Sequence, residues 1–133
     1  MFKKLLVRAA AKASLANMKF DLDRLSSAFP KNPSVASKAL FTLMENISLA
    51  FGNQASVVEV KTVISARSGA YPSGLTAILD DLVELTAAVE RGDSSKVSEC
   101  DKRINDLFLQ ATGSALDASQ LPWFTKLALK SKP

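Results

Sequence analysis

Three neighbouring acidic residues are the first candidates for chemistry in this 133-residue chain. Asp80 and Glu84 are four residues apart and so share one face of a helix, with Asp81 beside them. Carboxylates grouped in this way can act as a general acid and base or bind a metal ion. The di-iron sites of helical bundles also use histidine, however, and the chain contains none. We therefore expect a charged, solvent-facing helix surface here, with no metal and no cofactor.

The single cysteine is the second candidate. To act as a nucleophile or redox sensor, Cys100 would need a depressed pKa, which nearby cations or a helix N-terminus can supply. It lies instead in an apolar stripe between Val97 and Ile104, where cysteine typically behaves as a small buried hydrophobe. The absence of histidine also removes the Ser-His and Cys-His pairs of nucleophilic catalysis. These observations predict a protein that is not an enzyme.

The composition is that of a folded protein without disulfide bonds. Hydrophobic residues make up 47% of the chain and charged residues 23%, as in ordinary globular proteins. A lone cysteine excludes an internal disulfide, so we expect an intracellular location or one within an assembled particle. A position peripheral to a membrane is an alternative, but Lys or Arg interrupts every apolar run long enough to span one.

Charge is distributed unevenly along the chain. Residues 1–20 contain five basic residues and no acidic residue, whereas residues 80–117 contain four basic and nine acidic residues. The last sixteen residues add three lysines. Such a dipolar sequence favours pairing between its own basic and acidic sections, or head-to-tail association, over uniform attraction to a polyanion.

Helical spacing and helix-breaking residues account for most of the sequence. The first helix should end at the prolines of "PKNP", and residues 20–29 either continue it or bend away from it. The pattern predicts one all-α domain over residues 1–133, a compact bundle of four or five helices with a short C-terminal amphipathic segment. Its predicted parts are a basic amphipathic helix over 1–20, a central helix over 34–51, a helix over 56–67, an antiparallel helical hairpin over 75–112 and a basic aromatic tail over 121–133.

Residues 56–67 are the ambiguous segment. Four valines and an isoleucine favour a strand, whereas the spacing of Val57, Val60 and Ile64 favours a helix. Ser56 and Glu59 match the capping box, in which each side chain accepts a hydrogen bond from a backbone amide at the start of a helix. We predict a helix.

Several helix ends are marked by capping residues. Asn32 or Ser34 is expected to cap the central helix. Gly52, Gly92 and Gly113 each follow helical periodicity, which predicts a glycine in the left-handed turn after the helix.

The first helix carries an apolar stripe beside a cationic side. Phe2, Leu5 and Phe20 lie in the stripe with Leu6 and three alanines, and Lys4, Arg8, Lys12 and Lys19 cluster elsewhere. The favoured interpretation is a first helix of the fold that docks on the core through this stripe. A membrane-surface helix, an organelle-targeting segment and a nucleic-acid arm remain open alternatives.

We expect a non-catalytic structural or interaction subunit of a larger protein assembly, for example a virion component or an accessory subunit of a membrane-bound complex. Its partners would be other subunits or further copies of the chain. The alternative is a peripheral protein held at an anionic membrane surface by its basic amphipathic ends, and nucleic-acid binding is least favoured. The predicted contacts are residues of the first helix, apolar residues outside the main stripes, a loop tyrosine that can equally cap the core, and the tail: Phe2, Lys3, Lys4, Leu5, Arg8, Lys12, Phe41, Leu49, Tyr71, Leu109, Trp123, Phe124, Lys126 and Lys130.

Overall fold

A computed structural model describes residues 2–66 and 70–116, and the side chains from residue 5 onward. These residues form five α-helices and no strand, which confirms the predicted all-α bundle. The predicted tail over 121–133 lies outside the described residues. The helices are α1 (Phe2–Ala28), α2 (Pro33–Gly52), α3 (Val57–Ser65), α4 (Leu75–Arg91) and α5 (Ser94–Thr112).

Helix α1 is longer than its basic opening section. It continues without interruption through residues 21–28 and ends at Ala28, directly before Phe29 and Pro30. The second half therefore does not bend away, and both halves share one helical phase. This continuity decides which side of the basic section faces the core.

Side-chain caps start α2 and α3, as their sequences predict. The Asn32 side chain accepts a hydrogen bond from the Val35 amide at 3.3 Å. At α3, Ser56 Oγ accepts from the Glu59 amide at 3.3 Å, while Glu59 Oε2 accepts from the Ser56 amide at 3.1 Å. Both halves of the capping box are present, so the valine-rich segment is a helix and not a strand.

The glycine prediction is correct at two helix ends and wrong at one. Gly92 and Gly113 follow α4 and α5 with φ of 79° and 76°, in the left-handed region. Gly52 is instead the last residue of α2, and the left-handed residue is Gln54, with φ of 67°. Asn53 ends α2 by donating from its side-chain amide to the Leu49 carbonyl at 2.9 Å, so the turn does not need the glycine.

The helices pack in a chain of neighbours around one buried cluster. Helix α1 lies antiparallel to α2 and also contacts α3, α3 contacts α4, and α4 pairs with α5 as the predicted hairpin. The Phe29 and Phe108 rings meet in the core, with their centroids 6.2 Å apart. Every helix contributes to this core, whose larger members include Met18, Leu22, Leu25, Leu40, Leu43, Met44, Ile47, Val60, Ile64, Leu75, Ile78, Leu79, Leu82, Leu85, Val97, Ile104 and Phe108.

Candidate functional site: the outer face of α1

Helix α1 has apolar residues on two opposite sides. Met18, Leu22 and Leu25 are buried against the core, and Ala11 joins a smaller cluster with residues of the α2 end. At about 100° per residue, the opposite side carries Leu5, Leu6, Ala9, Ala13, Ala16 and Phe20, which we call the outer face.

The expectation that this stripe docks on the core is therefore wrong. Leu5, Leu6 and Phe20 are 68%, 59% and 74% exposed. The reason lies in residues 18–28, where core positions recur at Met18, Leu22, Leu25 and Ala28 and fix the phase of the helix. Because α1 is unbroken, burying Met18 and Leu22 turns the more apolar side of the first twenty residues toward solvent.

The outer face is shallow in its middle and bulky at its ends. Ala9, Ala13 and Ala16 are all exposed, and each offers only a methyl group. Leu6 and Phe20 bound them, roughly 21 Å apart along the axis at about 1.5 Å rise per residue. We call the three alanines the alanine trough.

Cations border the outer face on the side of α3. Arg8 Nη1 lies 3.0 Å from Glu59 Oε1, an ion pair that joins α1 to α3. Lys12 and Lys19 are exposed, and within the described part of the chain no ion pair joins either of them to a carboxylate. Residues 1–20 contain no acidic residue, so this border is positive as far as Lys19. The first acidic residue on the outer side of α1 is Asp23, which is exposed one turn beyond Lys19.

A partly buried polar pair holds α1 against α2 beside this face. Asn46 Nδ2 donates to Asp21 Oδ2 at 2.6 Å, and Asp21 is only 9% exposed. Burial raises the pKa of Asp21, while the hydrogen bond from Asn46 opposes that shift. Leu49, 47% exposed, follows Asn46 by one turn of α2 and adds an apolar side chain near the same helix pair.

The other predicted contact residues fall into different settings. Phe41 is half-buried against the core, and Tyr71 is half-buried and donates its hydroxyl to the Ile64 carbonyl at 2.6 Å. Tyr71 therefore closes the core from the turn before α4, one of the two roles left open for it. Leu109 is 47% exposed on α5. The side chains of Phe2, Lys3 and Lys4 and the tail residues Trp123, Phe124, Lys126 and Lys130 lie outside the described residues.

Two of the three neighbouring acidic residues, Asp81 and Glu84, form ion pairs between α4 and α5. Arg103 Nη2 lies 2.9 Å from Asp81 Oδ1 and 3.0 Å from Glu84 Oε2, and Lys96 Nζ lies 3.5 Å from Glu84. Asp80 and Glu84 are exposed, as predicted for all three residues, whereas Asp81 is half-buried. The acidic section thus pairs mainly with its own hairpin, and the described cations of α1 pair with it nowhere. The contact of Asp81 and Glu84 with Arg103 depends on how α4 and α5 are aligned in the hairpin. The periodicity of a single helix does not predict that alignment.

Asp80, Asp81 and Glu84 lie in no metal-type cluster of the described residues, and the pKa of the cysteine thiol is raised. No group of three or more Asp, Glu or Cys side chains that could hold a metal ion occurs within residues 2–66 and 70–116. Cys100 is fully buried, and its burial raises the pKa of the thiol, with Arg103 acting in the opposite direction. A buried thiol with a raised pKa is a poor nucleophile at neutral pH.

One open groove of about 620 Å³ lies where the end of α1 meets the start of α2. Arg24, Lys38 and Glu45 give it mixed charge, and Phe41 is its largest apolar side chain. Its lining also carries three hydroxyl groups, those of Ser34, Ser37 and Thr42. Within the described part of the chain, no hydrogen bond joins any of these hydroxyls to the side chain of Lys38 or Glu45.

No helix in the described ranges is both long and apolar enough to cross a membrane. Comparison of the chain with protein-family models, with curated proteins and with solved structures gave no match in any of the three.

Proposed function

We propose that this chain is a non-catalytic subunit of a larger protein assembly and that it binds another protein through the outer face of α1. The observation that carries the proposal is the exposure of Leu5, Leu6 and Phe20 on one side of a helix whose other side is already packed in the core. Grouped exposed apolar side chains of this size mark interaction sites on soluble proteins.

The energy available at this face is sufficient for a specific contact. Full burial of one leucine or phenylalanine side chain stabilises by roughly 1.5 to 3 kcal/mol. More than half of the surface is exposed to solvent in each of Leu5, Leu6 and Phe20. Covering all three would therefore contribute several kcal/mol to binding before the cost of association is subtracted. The lone cysteine, buried and without a disulfide, favours an assembly inside a cell or within a particle such as a virion.

A peripheral membrane protein is the second candidate, because Lys12 and Lys19 border the apolar face without a carboxylate partner in the described part of the chain. Basic residues beside an apolar helix face bind anionic lipid surfaces. The alanine trough weakens this candidate, since alanine contributes little apolar area to a bilayer contact. Nucleic-acid binding is less favoured still, because the apolar residues would lie exposed beside phosphates.

The test is the state of association of the full chain in extracts of the cells that make it. We expect the wild-type chain to sediment faster than a monomer, and Leu6→Glu combined with Phe20→Glu to return it to the monomer position. The matched control adds two glutamates at exposed positions elsewhere, Val58→Glu and Ala77→Glu, and should leave sedimentation unchanged.

Two outcomes would contradict the proposal. One is a wild-type chain that sediments as a monomer. The other is equal loss of association in the outer-face variant and the control. If the wild-type chain instead floats with vesicles of anionic lipid, and the outer-face variant does not, the membrane candidate replaces it.

A further inference from the structure

We propose that the occupant of the outer face is an α-helix of a partner protein, lying along the alanine trough and carrying acidic residues opposite Lys12 and Lys19. This inference rests on the proposed function and specifies the chemistry of the partner. It follows from three properties of the outer face: the spacing of its apolar residues, the depth of the alanine trough and the charge of its border.

The spacing of the outer face matches the seam of two packed helices. Leu6, Ala9, Ala13, Ala16 and Phe20 follow one another at intervals of three, four, three and four residues. Apolar residues at this average interval of about 3.5 keep one side of a helix facing a partner helix over several turns. The core side of α1 is occupied by α2, α3 and the buried cluster, so this seam is available only to another molecule or to the undescribed part of the chain.

The depth of the trough favours a helix over a bilayer. Small residues in a helical interface let two backbones approach closely, and helix axes pack about 8 to 10 Å apart depending on the contact side chains. The three exposed alanines of the trough allow the shorter separations of the two helix axes within that range. Leu6 and Phe20 supply larger contacts at either end of the trough. A flat lipid surface would meet the leucines and Phe20 and gain little from the alanines.

The charge of the border selects an acidic partner. Lys12 and Lys19 are seven residues apart, so they occupy equivalent positions on the same side of the seam. Charged residues at such positions form the ion pairs between helices that select one partner over another. Arg8, farther from the seam, is already paired with Glu59. Acidic residues spaced seven apart on the partner would meet both lysines.

The same charges disfavour a second copy of α1 as the occupant. Two outer faces packed together would bring the lysines of both copies to one interface, and the first acidic residue on this side of either copy is Asp23, beyond Phe20. Like charges at the borders of a helix seam oppose pairing. Charge complementarity therefore selects a partner with an acidic flank.

The test uses two synthetic helical peptides of about three heptads, identical in their apolar seam and differing only in flanking residues, glutamate in one and lysine in the other. Binding to the full-length protein is measured by fluorescence anisotropy at low and high salt. We expect the glutamate peptide to bind saturably, at least tenfold more tightly than the lysine peptide, and to weaken as salt increases. Lys12→Glu combined with Lys19→Glu should reverse this preference.

Replacement of Ala13 by tryptophan separates a helix from a membrane as the occupant. A large side chain in the trough blocks close approach of a helix, so Ala13→Trp should weaken binding of the glutamate peptide at least tenfold. Tryptophan favours the membrane interface, so the same variant should instead strengthen binding to anionic vesicles if lipid is the occupant. Ala77→Trp, at an exposed alanine of α4, is the matched control and should change neither.

The inference is overturned if the glutamate peptide fails to bind at low salt, if both peptides bind equally, or if Ala13→Trp leaves peptide binding unchanged while strengthening vesicle binding. Any of these results, combined with association that is lost in the Leu6→Glu and Phe20→Glu variant, would leave the proposed function standing and reject only the acidic helix. A monomeric wild-type chain in cell extracts would reject both.

Discussion

Replacing Leu22 by alanine should destabilise the protein far more than replacing Leu6 by alanine. The two leucines belong to the same helix, yet Leu22 is 2% exposed within the core and Leu6 is 59% exposed on the outer face. Truncating a buried leucine costs roughly 2 to 5 kcal/mol, because apolar contact is lost and a cavity is left. Surface substitutions usually stay within about 0.5 kcal/mol.

The comparison isolates burial because other contributions nearly cancel. Leucine and alanine are both good helix formers, so helix propensity changes little at either site. Urea unfolding followed by circular dichroism measures the free energy of unfolding. With an m-value of about 2 kcal/mol/M, Leu22→Ala should lower the urea midpoint by roughly 1 to 2.5 M, and Leu6→Ala by no more than about 0.25 M.

An unchanged m-value would show that both variants unfold from the same folded state. Equal destabilisation by the two substitutions would refute the assignment of inner and outer faces. A larger loss of stability from Leu6→Ala than from Leu22→Ala would mean that the outer face of α1 packs against the core, as the first twenty residues alone predict.

Three further predictions concern polar groups that the bundle buries. Burial raises the pKa of Asp21 in the folded state above its unfolded value, so wild-type stability should fall as pH rises through the interval between the two pKa values. The Asp21→Asn variant can still accept the hydrogen bond from Asn46, so its free energy of unfolding should exceed that of wild type at pH 7 and lose this advantage in acid. Equal free energies of unfolding for the variant and wild type at every pH would contradict this. The Cys100 thiol should react with a disulfide reagent far more slowly in the native protein than in urea, and equal rates would contradict its burial. Tyr71→Phe should cost about 0.5 to 1.5 kcal/mol in urea unfolding by removing the hydrogen bond to the Ile64 carbonyl, without changing association of the chain, whereas lost association would make Tyr71 a contact residue.

Local signals were sufficient to predict most helices. The capping box of Ser56 and Glu59 outweighed the strand preference of the valines, because hydrogen bonds to the first-turn amides act within a few residues. Gly92 and Gly113 marked helix ends for an equally local reason. Gly52 did not, since Asn53 supplied another means of ending α2.

The orientation of α1 could not be read from its first twenty residues. In that section the stripe of Leu5, Leu6 and Phe20 is the more apolar side. The decisive residues are Leu22 and Leu25, which fix the phase of the whole helix from its second half. The missed signal was present in the sequence, but it required treating residues 2–28 as one helix.

Contacts between helices were the other part that sequence periodicity could not supply. The ion pair of Arg103 with Asp81 joins residues on separate helices, and the pairing of Asp21 with Asn46 joins α1 to α2. Periodicity places a residue on a face, whereas these pairs depend on how two faces are aligned. The same limit applies to Phe41, which lay outside the predicted apolar arc of α2 and yet packs against the core.

Photocrosslinking from the alanine trough in the producing cells tests the central claim most directly. A benzophenone amino acid replaces Ala13 in one variant of the full chain and Ala77 on α4 in the other, and both are irradiated before lysis. We predict that position 13 forms a discrete covalent adduct with another protein and that position 77 does not. The absence of any protein adduct at position 13, or the same adducts from both positions, would contradict the account.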